Sequence, residues 1–165
     1  MIKIIEDFIT EQEHQDILSK IRISRVTIGT QRNRIIRYGS SLPYKSHVKE
    51  NVIPSHFQFL LDKLVKEGIF PTQPDSLTIN EYKEKQSIDW HIDSATSGPS
   101  IVVLSLLSPA TMGMKNGNVI KDYLLPPRSL IVMTGEEREK WKHCIYPVSS
   151  TRLSIVFRQG TNVKK

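Results

Sequence analysis

His91 and Asp93 stand two residues apart in Trp90-His91-Ile92-Asp93, and His143 follows well downstream, ahead of Arg152 and Arg158. Two imidazoles and one carboxylate make a ligand set for a divalent metal, and three protein donors leave coordination positions open on one side. That arrangement suits a ferrous ion that must admit a co-substrate and dioxygen. In an extended segment His91 and Asp93 leave the backbone on the same face, so both can reach one ion. Taken alone the pair decides little, because a chain with five histidines acquires a His-x-Asp easily and a solvated loop accounts for it equally well.

The segment Thr151-Arg152-Leu153-Ser154-Ile155-Val156-Phe157-Arg158 alternates. Leu153, Ile155 and Phe157 fall on one face of a strand, and Arg152, Ser154, Val156 and Arg158 on the other. At ~3.3 Å per residue the two arginine Cα atoms are roughly 20 Å apart, so inward-reaching side chains leave a gap of several ångströms that fits a short dicarboxylate. Guanidinium suits such an anion because its planar fork pairs bidentately with carboxylate and keeps its charge. Two solvated surface arginines are the alternative. Upstream, Leu77-Thr78-Ile79-Asn80-Glu81-Tyr82 also alternates and reads as a half-buried strand whose polar face carries an amide and a phenol, both able to donate to carboxylate oxygens.

Taken in order, Asn80-x-Tyr82, His91-x-Asp93, His143 and Arg152-x-Ser154-x-x-x-Arg158 resemble the AlkB family of Fe(II)- and 2-oxoglutarate-dependent dioxygenases. The likeness runs from about Leu77 to Arg158. It includes the stretch from Leu125 to Glu136 and continues through Arg138 and Trp141, a region most similar to the AlkB homologues that hydroxylate a modified wobble uridine in tRNA. The resemblance implies an α+β fold, a double-stranded β-helix (jelly roll) with N-terminal helices buttressing one sheet. It also implies iron on His91, Asp93 and His143. Arg152, Tyr82 and Ser154 would hold the far carboxylate of 2-oxoglutarate, with Asn80 and Arg158 near the carboxylate that chelates iron. The implied reaction consumes O2 and 2-oxoglutarate, releases succinate and hydroxylates the substrate; an N-methyl target then loses formaldehyde, whereas a carbon-centred target keeps its hydroxyl.

Four positions depart from the family pattern. Many base-demethylating members carry an acidic residue two positions after the metal aspartate, where it contacts the damaged base; here that residue is Ala95. A substrate other than methylated adenine or cytosine is therefore expected. Cys144 replaces the glycine that often follows the distal histidine, and on a strand it points away from the metal as a small packed residue. Lys85 and Ser87 stand where relatives often have turn glycines.

A chain of 165 residues with 38% hydrophobic composition reads as one domain, with N-terminal helices and a substrate lid over about 1–76 and the β-helix core over about 77–160. No apolar run approaches the ~20 residues of a membrane span, and charge comes too early after Met1 for a secretory leader. One cysteine excludes an internal disulfide. The expectation is a monomer in a reducing intracellular compartment, cytoplasm or nucleus, not secreted and not in a membrane.

Net charge of +6 favours a polyanionic partner. Arg22, Arg25, Arg32, Arg34, Arg37, Lys45 and Lys49 precede the first acidic residue of that region, Glu50, and Tyr38 and Tyr44 lie among them. Such a strip either tracks a phosphate backbone and stacks a base or is an ordinary basic surface around a hairpin. In AlkB relatives this region forms the nucleotide-recognition lid, so the resemblance implies a nucleic-acid substrate, RNA ahead of DNA, with Arg34, Arg37, Tyr38 and Ala95 as candidate contacts.

The elements that must position these residues are legible in outline. A short strand over 2–8 precedes Thr10-Glu11-Gln12-Glu13, a capping box for a helix to about Ile23 with Ile17, Leu18 and Ile21 inward. A hairpin-like region runs to about Tyr44. A second helix over about Ser55–Glu67 carries Phe57, Leu60, Leu61 and Leu64 at helical spacing, with Gly68 in the left-handed position after it. Strands then follow at about Ile101–Leu107, Thr111–Lys115, Val119–Leu124, Ser129–Met133, Cys144–Val148 and Arg152–Phe157, with a tight turn at Asn116-Gly117.

Other readings remain at this point. The same chemistry on a protein side chain or a small molecule fits the ligand set, and a non-catalytic nucleic-acid-binding protein on this scaffold fits the charge. A zinc hydrolase using His91, Asp93 and His143 leaves the arginines and Asn80-x-Tyr82 without a role.

Overall fold

The structure, a computed structural model, describes residues 1–21, 30–39 and 52–160. Its strands are β1 (Ile2–Ile5), β2 (Asn33–Gly39), β3 (Ser76–Tyr82), β4 (Ile88–His91), β5 (Ser100–Leu106), β6 (Ala110–Asn116), β7 (Val119–Leu125), β8 (Leu130–Thr134), β9 (Lys142–Ile145) and β10 (Arg152–Arg158). Its helices are α1 (Glu11–Lys20), α2 (Gln58–Lys66) and α3 (Gly135–Glu139), with single 3₁₀ turns at Ser55–Phe57 and Ala95–Ser97. A six-stranded sheet, ordered β1-β8-β5-β10-β3-β2, faces a four-stranded sheet, ordered β4-β9-β6-β7. Every strand pairing is antiparallel. This is the expected double-stranded β-helix, with the helices on the outer face of the larger sheet.

The strand β10 organises both layers, because it pairs with β3 on one side and β5 on the other. Its odd-numbered residues Leu153, Ile155 and Phe157 enter the cluster formed with Ile17, Leu60 and Leu64 of the helices. Its even-numbered residues face the second sheet, where Val156 joins a smaller cluster containing Ile101 and Met112. Each fully buried side chain of this size contributes about 1.5–3 kcal/mol, which fixes the strand's register and hence where Arg152 and Arg158 point.

The capping box forms as expected. Glu13 donates its N–H to Thr10 Oγ1 at 3.1 Å and the Thr10 N–H is donated to Glu13 Oε2 at 2.8 Å. The helix stops at Lys20, where Ile21 turns to an extended conformation, and the expected continuation to Ile23 lies outside the described residues. The first strand ends at Ile5 rather than at residue 8, because the chain turns through Asp7 at φ 49°. Between β6 and β7 the register pairs Asn116 with Val119, so the two-residue loop is Gly117-Asn118, one position later than expected, with Gly117 at φ 56°. The ninth strand covers Lys142–Ile145 rather than 144–148, drawn forward by pairing of His143 with both Met114 and His91.

A larger difference concerns β3, which is buried at every position rather than half-buried. It lies second from the sheet edge, with the helices over Leu77 and Ile79 and the intersheet space over Asn80 and Tyr82. Its polar residues therefore line an interior, not a surface.

On the outer side of the smaller sheet, Trp90 meets Tyr146 edge-on at 6.1 Å between ring centroids, and the Tyr146 hydroxyl donates to Asp122 at 2.9 Å. Gly113 lies beneath both rings; a Cβ there would come within 2.7 Å of Trp90 and of the Tyr146 oxygen. Gly113→Ala is expected to destabilise the protein by about 1–3 kcal/mol through overpacking, measured by denaturant unfolding. Because Trp90 precedes His91 directly, the same variant should also bind divalent metal more weakly.

Candidate active site

The last residue of β4, His91, pairs across the sheet with His143 of β9, which sets the two imidazoles 4.2 Å apart between ring centroids. Asp93 lies just beyond β4, where the chain leaves the sheet and enters the 3₁₀ turn capped by the Ser94 side chain. Its carboxylate oxygens sit 3.9 Å from His91 Nε2 and 3.9 Å from His143 Nε2, and the candidate ligand atoms of all three residues lie within 4.8 Å of one another. One ion placed among them would touch all three. The Asp89 carbonyl accepts from His91 Nδ1 at 2.7 Å, which puts the proton on Nδ1 and leaves the Nε2 lone pair for a metal.

Protonation states favour the same use. Burial, helped by the neighbouring His91, lowers the His143 imidazole to about 4, so it is neutral at neutral pH. Burial alone would raise the Asp93 carboxyl, but Arg158, His143, His91 and Arg138 together hold it below its ordinary value. Arg158 lies 3.4 Å from Asp93 Oδ1 and also donates to Thr78 Oγ1 at 3.4 Å. Arg138, on α3 and buried, donates to the backbone carbonyls of Asp93 and Ser94 at 3.1 and 2.6 Å. The loop carrying the carboxylate is thus clamped from behind.

From this cluster a small cavity of about 60 Å³, open at its mouth, runs between the sheets; His91, Asp93, Asn80, Arg152, Ser154 and Arg158 are among its walls. Apolar side chains such as Met112, Ile131 and Val156 form much of the remainder. Arg152 is only 1% exposed. It donates to Ser105 Oγ at 2.8 Å and lies 5.1 Å from the Tyr82 ring, while its Nε has no hydrogen-bond partner among the described residues. Burial pushes this guanidinium below its ordinary value, partly opposed by Tyr82, and burial raises the Tyr82 phenol. No carboxylate among the described residues pairs with Arg152. A buried cation with an orphaned donor, facing a cavity, is a site that an anionic ligand would complete.

The structure brings together Asn80, Tyr82, His91, Asp93, His143, Arg152, Ser154 and Arg158 around one cavity. Other sequence-derived candidates lie elsewhere. Tyr38 packs against Phe57, 6.0 Å between centroids, beside the helix-side core. The alternation of β2 puts Arg37 on the opposite face, level with Thr78. Ala95 is exposed and lines a shallow surface depression with Ile92 and Arg138 beside the metal cluster, not the cavity itself. Arg22, Arg25, Tyr44, Lys45, Lys49 and the side chain of Arg34 lie outside the described residues.

Three contributors escaped the sequence reading. Ser105 sits within the apolar run of β5, where a single hydroxyl among buried neighbours is the only hint that something must bond it. Arg138 stood in the resembling stretch without a role. Arg32 was counted in a basic strip, yet it lines the cavity and donates through Nε to Asn80 Oδ1 at 3.1 Å.

Comparison with known proteins places this geometry. The family model of the 2OG-Fe(II) oxygenase superfamily matches residues 30–158. The mouse tRNA (carboxymethyluridine(34)-5-O)-methyltransferase ALKBH8 is 33% identical over 159 residues, covering 87% of this chain. The chain spans only 24% of that relative's length. An uncharacterized protein, L905, of Acanthamoeba polyphaga mimivirus is 30% identical over 173 residues, 94% of this chain and 82% of its own. Among solved structures, that of OsALKBH1 superposes with a TM-score of 0.70 at 15% identity, covering 96% of this chain and 97% of that one, a likeness of fold.

The burial of His143 has a pH consequence for the metal-free protein. With its pKa at about 4 when folded against 6.5 when exposed, its contribution to stability is full above pH 6.5 and is lost as pH falls to 4. Denaturant unfolding of the metal-free protein should therefore show a loss of up to about 3 kcal/mol across that window, and His143→Leu should lack that part of the loss.

Proposed function

We propose, from the premise that this chain belongs to the AlkB-like group of the 2OG-Fe(II) oxygenase superfamily, that it hydroxylates or oxidatively demethylates a modified base in nucleic acid, RNA ahead of DNA. It is a dioxygenase whose cofactor set is Fe(II), 2-oxoglutarate and O2. The observation that carries the reading of its site is the buried Arg152 guanidinium, without an acidic partner among the described residues, in the same cavity as His91, Asp93 and His143.

The residues fit the implied groups. His91, Asp93 and His143 offer two imidazole nitrogens and one carboxylate, a donor set suited to Fe(II) with positions left open. Arg152, helped by Tyr82 and Ser154, would hold the far carboxylate of 2-oxoglutarate; Asn80 and Arg158 would face the carboxylate nearer the metal. Bound there, iron and 2-oxoglutarate supply oxidative decarboxylation to succinate and delivery of one oxygen atom to the target carbon. The chain's own contribution is positional and electrostatic. Arg158, already on Asp93, would orient the metal carboxylate and the co-substrate together. The apolar walls keep water from the oxidant.

For the substrate, three observations support a modified uridine in RNA. The mouse relative's name refers to uridine 34 of tRNA. The net charge of +6 favours a polyanion. Ala95, two residues past Asp93 on the rim, offers no acceptor to the exocyclic amine of adenine or cytosine. Residues before β3 would then supply the lid that admits the nucleotide. The deciding experiment incubates the protein with Fe(II), 2-oxoglutarate and tRNA or matched DNA, and quantifies nucleosides by mass spectrometry with His91→Ala as control. Formation of a hydroxylated uridine derivative in RNA, stoichiometric with succinate, is expected; equal or better turnover of methylated adenine in direct competition would contradict the uridine assignment, and no nucleoside change in any nucleic acid would end the nucleic-acid reading.

The co-substrate assignment has its own test. In Mn(II)-loaded protein, Arg152→Ala should lose about 2–4 kcal/mol of 2-oxoglutarate binding by titration calorimetry, and Arg152→Lys should recover little because an ammonium cannot reproduce the fork.

A further inference from the structure

Asn80 sits in the interior of β3 at 4% exposure and lines the cavity beside Ser154, its cross-strand partner on β10. A buried primary amide is ambiguous by shape, since its oxygen and NH2 group can exchange places by rotation of half a turn. In the cavity the two orientations are opposites: one offers a ligand carboxylate a donor, the other a repelling lone pair. The neighbour that decides is Arg32, whose Nε donates to Asn80 Oδ1 at 3.1 Å. A guanidinium has no acceptor, so only the amide oxygen can face it. The NH2 group is then turned away from Arg32, and it has no hydrogen-bond partner among the described residues.

The stem of Arg32 is held firmly enough to impose this. Its N–H is donated to the Ser87 carbonyl at 2.8 Å, Ser87 in turn donates its N–H to Thr30 at 2.8 Å, and Gln31 forms a parallel bridge with Ser87. This segment is thereby pinned to the turn between β3 and β4, and the guanidinium crosses from there to Asn80, 48 positions away in sequence.

We propose that Arg32 is a positioning residue of the co-substrate pocket: it locks the Asn80 amide with its NH2 group presented as a donor to the metal-proximal carboxylate of the 2-oxo acid. The inference rests on the reading of this cavity as the 2-oxoglutarate site. It assigns Arg32 an action through Asn80, distinct from a direct ion pair with the ligand. Removing Arg32 should therefore matter only while Asn80 is present.

The test is titration calorimetry of the Mn(II)-loaded protein with 2-oxoglutarate, with unfolding midpoints measured alongside to exclude loss of fold. Arg32→Met, which keeps bulk but donates nothing, should weaken binding about tenfold, the scale of one hydrogen bond to a charged group. Arg32→Lys, also donor-only, should stay within about threefold of wild type. In an Asn80→Ala background, adding Arg32→Met should change affinity by less than about twofold, since the two residues act as one unit. A full additional loss in that background, or wild-type affinity in Arg32→Met alone, overturns the inference. If Arg32→Met is silent while Arg152→Ala still weakens binding, only the role of Arg32 falls; if Arg152→Ala is silent too, the pocket assignment falls with it.

Discussion

A guanidinium buried with no carboxylate partner among the described residues is the constraint around which the domain is arranged. Removing such a charge from water costs several kcal/mol, and one hydroxyl bond from Ser105 and the face of Tyr82 return only part of it. Arg152 is tolerated because β10 is anchored on its other face, where Leu153, Ile155 and Phe157 are locked into the helix-side core. The strand thus places stabilising side chains in one layer and an uncompensated charge in the other. An anion bound there would complete the electrostatics of the fold, so ligand and native state would stabilise each other.

The metal side depends on the same sheets through a different device. Cross-strand pairing of His91 with His143 fixes two imidazoles without any dedicated loop. Asp93, lying outside the sheet, needs separate restraint. Arg138 holds its backbone and Arg158 its carboxylate, and Arg158 itself belongs to β10. One strand therefore carries both the buried Arg152 guanidinium and the ion-pair partner of Asp93, so a shift in its register would disturb both. Burial that keeps His143 neutral would serve metal binding at the expense of stability in acid.

The N-terminal segments contribute more than a cover. The first and second strands extend the larger sheet at its two edges, and α1 and α2 supply the apolar layer against which β10 and β3 are fixed. The second strand also divides its residues, with Ile36 and Tyr38 towards the helices and Arg37 on the opposite face, level with Thr78. Arg32, just before that strand, links the segment to the pocket through Asn80.

Sequence alone determined whatever depends on local periodicity and on residue type. The alternation around Arg152 and Arg158 told which side chains share a face, because successive residues of a strand must point to opposite sides. His91-x-Asp93 followed the same rule across its spacing, and the Thr10 capping box was readable because its bonds span only three residues. Tertiary structure alone decided which faces meet. It buried β3 on both sides, set Tyr38 against Phe57 and Ala95 on a rim, and recruited Ser105, Arg138 and Arg32 to the site. Those outcomes depend on strand order and on contacts between residues far apart in the chain. Local backbone geometry carries no information about them, because they are fixed by the burial of whole sheets against one another.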